Sequence, residues 1–367
     1  MIRLILRSFP LITLIALAGI SLLPARSAQA IGFAECATVT FDNPTPTPEC
    51  LSLIEAHLDP VLIEVPRDGY TLSNYSYWRV ITEGYAPVFE APDGGVVREI
   101  EPGFNFVIAT DTSSAPGWIG IQGGGWMRDS DLRYTPASNF RGVQVLDGLA
   151  QPFGWVMFNL FPASYPGGQQ DINTERLLLK YERFNVFAEV ADEQGIVWYM
   201  IGPNQWVEQR WVAIAKTVER PEGVTGRWVA VDLYEQTLVA YENDTPVFAT
   251  LVATGLPGSD TREGLFTIWA RAVRDPMSGA AGSPRSYALQ NVPWVMYFDG
   301  DISLHGTYWH DGFGYRRSRG CVNLSISDAR FVYEWTAENP PDENGEPLTY
   351  VYVYSSGVYG QFGITQA

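Results

Sequence analysis

The sequence predicts a mainly β protein that is exported and built from more than one domain. Of its 367 residues, 46% are hydrophobic and 13% aromatic, a content that supports packed cores and excludes a wholly disordered chain. The 35 glycines and 25 prolines interrupt many short apolar runs, which is typical of strands joined by tight turns. A chain of this length is expected to form two or three domains.

The charge balance argues against nucleic acid as a partner. The chain carries 24 Lys and Arg against 41 Asp and Glu, a net charge of −17. Nucleic-acid binding depends on basic surfaces that neutralise phosphates, and this composition does not supply one. The same composition argues against a polybasic surface on this protein that would bind a membrane.

Residues 1–30 are typical of a secretory signal peptide. Arg3 and Arg7 provide a basic start, residues 9–23 are an apolar run, and Ala28-Gln29-Ala30 has the pattern of a cleavage site. The alternative is an uncleaved anchor, because the apolar run is only slightly shorter than a membrane span. No other segment approaches a transmembrane helix, so the mature chain is predicted to lack an integral membrane segment.

An exported protein can form disulfides, because it folds in an oxidising compartment. Its three cysteines then separate into a candidate pair and one single residue. Cys36 and Cys50 lie close together in a Thr/Pro-rich stretch within the predicted N-terminal segment, residues 31–80. Their pairing would leave Cys321 as an odd cysteine. Such a residue is a reactive thiol, an intermolecular partner or a buried inert side chain.

A weak internal repeat predicts two small β-barrels. Trp118–Trp126 and Trp198–Trp206 share a Trp-x7-Trp frame in which a strand, a glycine-containing turn and a second strand follow one another. The predicted modules span residues 81–137 and 138–217 and resemble bacterial SH3-like modules. Two interpretations of their tryptophans stay open: a surface that binds the cell wall or presents substrate, or side chains that fill a small core.

The third region is predicted to span residues 218–355, after a polar linker at 219–226 and before a C-terminal tail at 356–367. Its apolar segments are short and predict strands. Only residues 327–335 have the pattern of a helix, with Ser325 or Ser327 as N-cap and Ala329 and Val332 on the inner face. The fold class is therefore mainly β, with one or two short helices in this region.

Candidate catalytic residues concentrate in the third region. His305 and His310 both lie within 16 residues of Cys321. A nearby base activates a thiol, and Gly320 beside it would expose backbone amides to a developing oxyanion. A zinc site of these three residues lacks a fourth ligand and would quench the nucleophile. His310, followed by Asp311, is interpreted as a loop residue without a catalytic role.

The motif around these residues resembles the YkuD-type L,D-transpeptidase domain of bacterial cell-wall enzymes. That family has a His, a spacer and then Ser/Thr-His-Gly-Cys-hydrophobic-Asn. The matching residues here are His305 and the run Ser318-Arg319-Gly320-Cys321-Val322-Asn323. The segments 231–236, 261–266 and 292–298 also fit, so the resemblance covers residues 227–335. One residue departs from the pattern, because Arg319 stands where the family has His.

The resemblance implies a role for each matching residue. Cys321 is the nucleophile and His305 its general base. The base is oriented by the carbonyl of Gly306, and the oxyanion is bound by the amides of Gly320 and Cys321, with help from the Tyr287 hydroxyl. Three residues are expected to contact substrate: Ser318, Arg319 and Asn323. A guanidinium cannot act as a base, so Arg319 is expected to favour the thiolate or to bind a substrate carboxylate.

The implied reaction is a 3→3 crosslinking of peptidoglycan stem peptides, which serve as both donor and acceptor. No metal or organic cofactor is needed, and the protein is expected to be a monomer in the periplasm or outside the cell, associated with the wall. Two alternatives stay open. One is an L,D-carboxypeptidase or cysteine peptidase on the same stems, and the other is a non-catalytic wall-binding protein with a degenerate site.

Overall fold

The protein is described by a computed structural model that covers residues 33–57, 60, 62–146, 152–174, 176–283, 285–343 and 345–357. The predicted signal peptide lies outside these residues, as do residues 358–367 of the predicted tail. The described residues belong to one compact unit. None of the helices within them has the length and apolar character that crossing a membrane requires.

The described residues form three α-helices and 24 β-strands, so the chain is mainly β, as predicted. The N-terminal segment contains α1 (Pro48–Ala56), β1 (Ile63–Glu64) and α2 (Gly69–Asn74). The first module contains β3 (Ala86–Phe89), β4 (Val96–Ile100), β5 (Phe104–Asp111), β6 (Trp118–Ile121), β7 (Trp126–Arg128) and β8 (Leu132–Tyr134), and is followed by β9 (Val143–Gln144). It also includes β2 (Ser76–Val80), which lies before its predicted start at residue 81 but pairs with β5 and β8. The second module contains β10 (Phe153–Val156), β11 (Arg183–Asn185), β12 (Ala188–Ala191), β13 (Val197–Gly202), β14 (Gln205–Glu208) and β15 (Val212–Ile214). The third region contains β16 (Arg227–Asp232), β17 (Thr237–Glu242), β18 (Thr245–Leu251), β19 (Gly264–Thr267), β20 (Ala270–Gly279), β21 (Tyr287–Asp299), β22 (Ile302–Gly306), β23 (Val322–Leu324), α3 (Ile326–Thr336) and β24 (Tyr350–Tyr354).

The two modules share a pattern of strand pairing. In the first, β2 lies between β5 and β8, and β6 and β7 form a hairpin. In the second, β10 lies between β11 and β15, and β13 and β14 form the corresponding hairpin. A 3-10 turn precedes the last strand in each module. The predicted repeat and both hairpins are therefore confirmed, while the SH3-like assignment stays a prediction.

Three of the four repeat tryptophans fill cores. Trp118, Trp198 and Trp206 are only 8%, 7% and 2% exposed. Trp198 and Trp206 pack with Cys36 and Cys50, which form a disulfide as predicted. The structure thus favours the core-filling interpretation, and it makes the disulfide-bridged segment part of the second module's core.

The third region is built on two sheets that enclose a common core. One has the strand order β1-β9-β18-β17-β16-β24-β19, and the other contains β23, β22, β21 and β20. The helix α3 packs against β21 and β22. It begins after Ser325, whose side chain accepts the amide of Asp328, and it buries Ala329 and Val332 as predicted.

The third region also recruits short segments from outside its predicted boundaries. Strands β1 and β9 pair with each other, and β9 pairs with β18 at the edge of the first sheet. Asp68 caps α2 and accepts the Trp294 indole N–H at 2.7 Å, so α2 is attached to the same core. Two-residue strands have no periodic apolar pattern, which explains why the sequence places residues 31–80 and 138–217 apart from this region.

Candidate active site

Two adjacent parallel strands place the predicted catalytic residues on one face of the second sheet. In the pairing of β22 with β23, His305 lies opposite Asn323 and Leu304 opposite Val322. Side chains two residues apart on a strand share a face, so Ser303 and His305 of β22 lie beside Cys321 and Asn323. Although 15 residues separate His305 from Cys321 in the sequence, the pairing of β22 with β23 brings them close together.

The turn before Cys321 requires glycine at position 320. Gly320 has a φ of 118°, and an added Cβ would lie 2.6 Å from the Ile302 Cδ1 atom. The Thr261 hydroxyl donates to the Gly320 carbonyl at 2.7 Å and accepts the Gly255 amide at 3.0 Å. These contacts fix the backbone that presents Cys321.

The structure modifies two assignments made from the resemblance. The Gly320 amide, expected in the oxyanion hole, donates to the Ser318 hydroxyl at 3.1 Å. That hydroxyl in turn donates to the Cys321 carbonyl, and Ser318 is only 7% exposed. Ser318 therefore holds the turn in this state instead of facing substrate, and the Gly320 amide must leave Ser318 before it can bind an oxyanion.

The Cys321 thiol is half-buried and contacts strand β22 and the residue just before it. Its sulfur lies 3.8 Å from the Ser303 hydroxyl and 3.9 Å from the Asp301 carbonyl, to which the S–H donates. Burial raises the pKa of the Cys321 thiol, Ser303 lowers it in part, and the Asp301 carboxylate raises it further. The raised pKa favours the protonated thiol of Cys321 over the thiolate that sequence reasoning expects.

His305 is buried, and its orientation follows the expectation. Its Nδ1 lies 3.2 Å from the Gly306 carbonyl oxygen, which only accepts, so Nδ1 carries the proton. Burial lowers the pKa of His305 to about 4, which keeps the ring neutral near pH 7. Nε2 is then unprotonated and has the form of a general base.

Tyr287 lies at the start of β21, in the hairpin of β20 and β21, and Arg319 contacts its ring. The Arg319 guanidinium lies 4.8 Å from the centre of the Tyr287 ring and donates to the Arg285 carbonyl. Burial raises the pKa of the Tyr287 hydroxyl. The Cys321 charge raises it further, and the Arg319 charge lowers it. In this structure the guanidinium is thus engaged with the hairpin. Its expected stabilisation of the thiolate stays a prediction.

His310 lies closer to the site than the sequence indicates. Its Nε2 is 2.9 Å from the Asn323 side-chain amide, and its Nδ1 accepts the Gly312 amide at 3.1 Å. Burial lowers the pKa of His310 to about 3, with help from the charges of Arg317, His305 and Lys180. His310 is thus not a free loop residue, and Asn323, at 2% exposure, is part of a buried pair.

Sequence reasoning missed Ser303 and Tyr297 as neighbours of Cys321. Ser303 lies two residues before His305, so strand alternation could have placed it on the catalytic face. Tyr297 lies opposite Ser303 in the pairing of β21 with β22. Its hydroxyl donates to Asp275 at 2.9 Å, a contact between distant residues for which the sequence carries no local signal.

No group of three or more His, Cys, Asp or Glu side chains within the described ranges is arranged to hold a metal ion. His305, His310 and Cys321 each have other partners: the Gly306 carbonyl, the Asn323 amide and Ser303.

Comparison with known proteins shows that part of this chain is similar to a known catalytic domain. Residues 226–347 match the family model of the L,D-transpeptidase catalytic domain, YkuD. Among curated proteins no match is found. The solved structures that are similar include an L,D-transpeptidase (Yku) from Stackebrandtia nassauensis, which is 26% identical with a TM-score of 0.27 and coverage of 39% of this chain and 60% of that chain.

Two mycobacterial structures are also similar. The L,D-transpeptidase from Mycobacterium smegmatis is 18% identical, with a TM-score of 0.32 and coverage of 45% of this chain and 69% of that one. L,D-transpeptidase 3 from Mycobacterium tuberculosis is 14% identical, with a TM-score of 0.31 and coverage of 48% and 76%. The family match covers residues 226–347, which include His305, Cys321 and the segment between them, so this part of the chain is similar to the YkuD L,D-transpeptidase catalytic domain.

Proposed function

We propose that this chain is an exported peptidoglycan L,D-transpeptidase that forms 3→3 crosslinks through an acyl-enzyme on Cys321. One observation carries the proposal: the Gly306 carbonyl fixes the His305 proton on Nδ1, which leaves Nε2 as a base on the strand face that carries Cys321. Stem peptides are the donor and the acceptor, and no cofactor takes part.

The chemistry begins from a neutral pair, because the thiol pKa is raised and the His305 pKa is lowered. His305 Nε2 takes the thiol proton as the sulfur attacks the carbonyl carbon of the third stem residue. The tetrahedral intermediate collapses to a thioester, and the imidazolium gives its proton to the departing D-Ala amine. An acceptor amine then attacks the thioester, His305 removes its proton, and the thiol is restored.

The direct test is acylation of the purified protein by a tetrapeptide stem, followed by intact mass. We expect wild type to gain the acyl mass, Cys321→Ala to gain none, and His305→Ala to react at least a hundredfold more slowly, as general-base removal implies. A Cys321→Ala protein that still turns over donor would contradict the proposal. Absence of an acyl-enzyme in wild type would favour the wall-binding alternative instead.

The acceptor distinguishes the transpeptidase from the carboxypeptidase alternative. With donor and an added amine-bearing stem, a transpeptidase yields a 3→3 dimer, whereas a carboxypeptidase yields only the shortened donor. Mass spectrometry of the products measures both in one reaction. A product mixture without any dimer at high acceptor concentration would leave hydrolysis as the activity.

The pH profile follows from the buried histidine. Since burial lowers the pKa of His305 to about 4, the base form persists down to that pH. The acylation rate should therefore change little between pH 7 and pH 5, where an ordinary histidine of pKa about 6.5 would lose about thirtyfold. Single-turnover rates at each pH, with circular dichroism as the control for folding, measure this. A thirtyfold loss at pH 5 in folded protein would show that His305 is not the neutral base.

A further inference from the structure

The loop after His310 fixes the tautomer of its imidazole. The Gly312 N–H donates to His310 Nδ1 at 3.1 Å, so Nδ1 carries no proton and the neutral ring is protonated on Nε2. Burial and nearby cationic side chains hold the pKa of His310 at about 3, which keeps the ring neutral at physiological pH. His310 therefore presents a hydrogen-bond donor toward Asn323.

That donor determines the orientation of the Asn323 amide. The structure has Asn323 Nδ2 at 2.9 Å from His310 Nε2, which would set two donors against each other. The same amide has its Oδ1 buried without a hydrogen-bond partner among the described residues. The oxygen and nitrogen of an asparagine amide are distinguished by their partners. A 180° turn of the Asn323 amide gives Oδ1 the His310 Nε2–H as a partner and removes the contact between two donors.

The turned amide leaves a donor beside the nucleophile. Asn323 lies opposite His305 in the pairing of β22 with β23, two residues after Cys321, which immediately precedes β23. After the turn, the NH2 group takes the place that Oδ1 held before it. That place is buried and faces no hydrogen-bond partner among the described residues. A buried donor without a protein partner is costly unless a ligand oxygen satisfies it.

The His310 loop is in turn held by the second module. Lys180 Nζ donates to the Asp311 carbonyl at 2.8 Å and pairs with its carboxylate at 2.9 Å. The Tyr181 hydroxyl donates to the same carbonyl at 2.8 Å and accepts the Phe313 amide at 3.2 Å. These contacts hold the backbone on the C-terminal side of His310.

We propose that His310 is a positioning residue, which holds the Asn323 amide so that its NH2 donates to a carbonyl or carboxylate oxygen of the donor stem peptide at the Cys321 site. The inference rests on the proposed function and deepens it. It also reverses the expectation from sequence that His310 has no role.

The test compares three histidine variants of the full chain. His310→Ala should lower the rate of Cys321 acylation by a tetrapeptide stem about tenfold, the effect of one lost hydrogen bond. His310→Gln, whose amide can donate in place of Nε2, should recover most of that rate. His57→Ala, a matched control in the N-terminal segment, should leave it unchanged. Alkylation of Cys321 by iodoacetamide should stay within twofold in all variants, because this small reagent does not use Asn323.

Two results would overturn the assignment: acylation by His310→Ala within twofold of wild type, or an alkylation rate that falls in parallel with acylation. An independent readout is the two-bond nitrogen–proton NMR pattern of the His310 ring, which should show Nε2–H between pH 5 and pH 8. A pattern of Nδ1–H would overturn the proposed pair in a catalytically active protein. A wild type with the Nε2–H pattern but no acyl-enzyme would instead overturn the proposed function and the role of the pair in it.

Discussion

The two modules contact the catalytic region by different kinds of interaction. Strand β5 of the first module pairs in parallel with β21, with Phe104 opposite Tyr287 and Phe106 opposite Leu289. The Phe104 amide donates to the Ser286 carbonyl at 2.9 Å, just before Tyr287. The first module therefore holds the Tyr287 hairpin through main-chain hydrogen bonds.

The second module uses side chains for the same purpose. Lys180 and Tyr181 bind the Asp311 loop. At the end of the module, the Glu235 carboxylate of the third region accepts the Ile214 amide at 2.9 Å and pairs with Lys216. Lys180 and Lys216 are the only two lysines of the sequence, and both lie at this boundary.

The difference determines which substitutions can break each contact. Main-chain hydrogen bonds between strands form with most side chains at these positions. They break only where a substitution adds an atom that pushes the two backbones apart. A side-chain contact fails when one of its groups is removed, and a buried charge that is left alone is the most costly outcome. The three predictions below use this distinction.

The largest effect is expected from Lys216→Met. Glu235 is buried, with its side chain 5% exposed, and it would lose its countercharge. Removing one partner of a buried pair costs about 3 kcal/mol in free energy of unfolding. Lys180→Met is the control, since Lys180 and Asp311 are 37% and 52% exposed and a surface pair is worth less than about 1 kcal/mol. Urea unfolding at pH 7.5 measures both, and equal losses would contradict the prediction.

The sign of the pH dependence follows from Glu235. Burial raises its pKa, and Lys216 offsets this only in part. The folded state therefore holds a proton on Glu235 more readily than the unfolded chain does. The loss in Lys216→Met should be full above the folded-state pKa and should shrink as the pH falls toward the unfolded value near 4.5. The double variant Lys216→Met/Glu235→Gln should recover stability at pH 7.5.

An intermediate effect, on activity, is expected from Gly103→Val. A Cβ at Gly103 would lie 2.6 Å from the Ser286 carbonyl oxygen, so the two backbones must separate where β5 meets the hairpin. Displacement of Tyr287 by about 1 Å should lower the rate of stem-peptide acylation up to about a hundredfold. Gly84→Val, in the same module, is the control, because a Cβ there meets nothing within 4 Å. An acylation rate for Gly103→Val equal to that of the control would show that the hairpin does not need the first module.

The sequence predicted what depends on spacing along the chain. The order of His305, Gly320 and Cys321, the repeat hairpins and the Ser325-capped helix are all local patterns, and the structure contains each one. The Gly306 contact of His305 was implied by the family resemblance, and it too is present.

The rest depends on contacts between distant segments or on the exact conformation of a turn, and neither leaves a pattern in the sequence. The His310–Asn323 pair needs a loop shaped by Lys180 and Tyr181, more than 100 residues earlier. The engagement of the Gly320 amide by Ser318 depends on the conformation of a turn that residue types alone do not specify. Arg319 could be identified as a departure from the motif, but its partner Tyr287 became evident only when the hairpin was placed.

The smallest effect is expected from Tyr181→Phe in the second module. Tyr181 has a φ of 68°, a backbone conformation that costs a residue with a side chain about 1–2 kcal/mol, so its contacts must offset that cost. The substitution removes the hydroxyl that joins the Asp311 carbonyl to the Phe313 amide and leaves the amide without this acceptor. We expect a loss of about 1 kcal/mol in free energy of unfolding and a severalfold lower acylation rate, with iodoacetamide alkylation of Cys321 unchanged. Tyr165→Phe is the matched control, since Tyr165 is 59% exposed in the same module. If both variants acylate at the wild-type rate, the second module stabilises the Asp311 loop without affecting the active site. The two modules would then differ in how they stabilise the catalytic region, and only the first would affect activity.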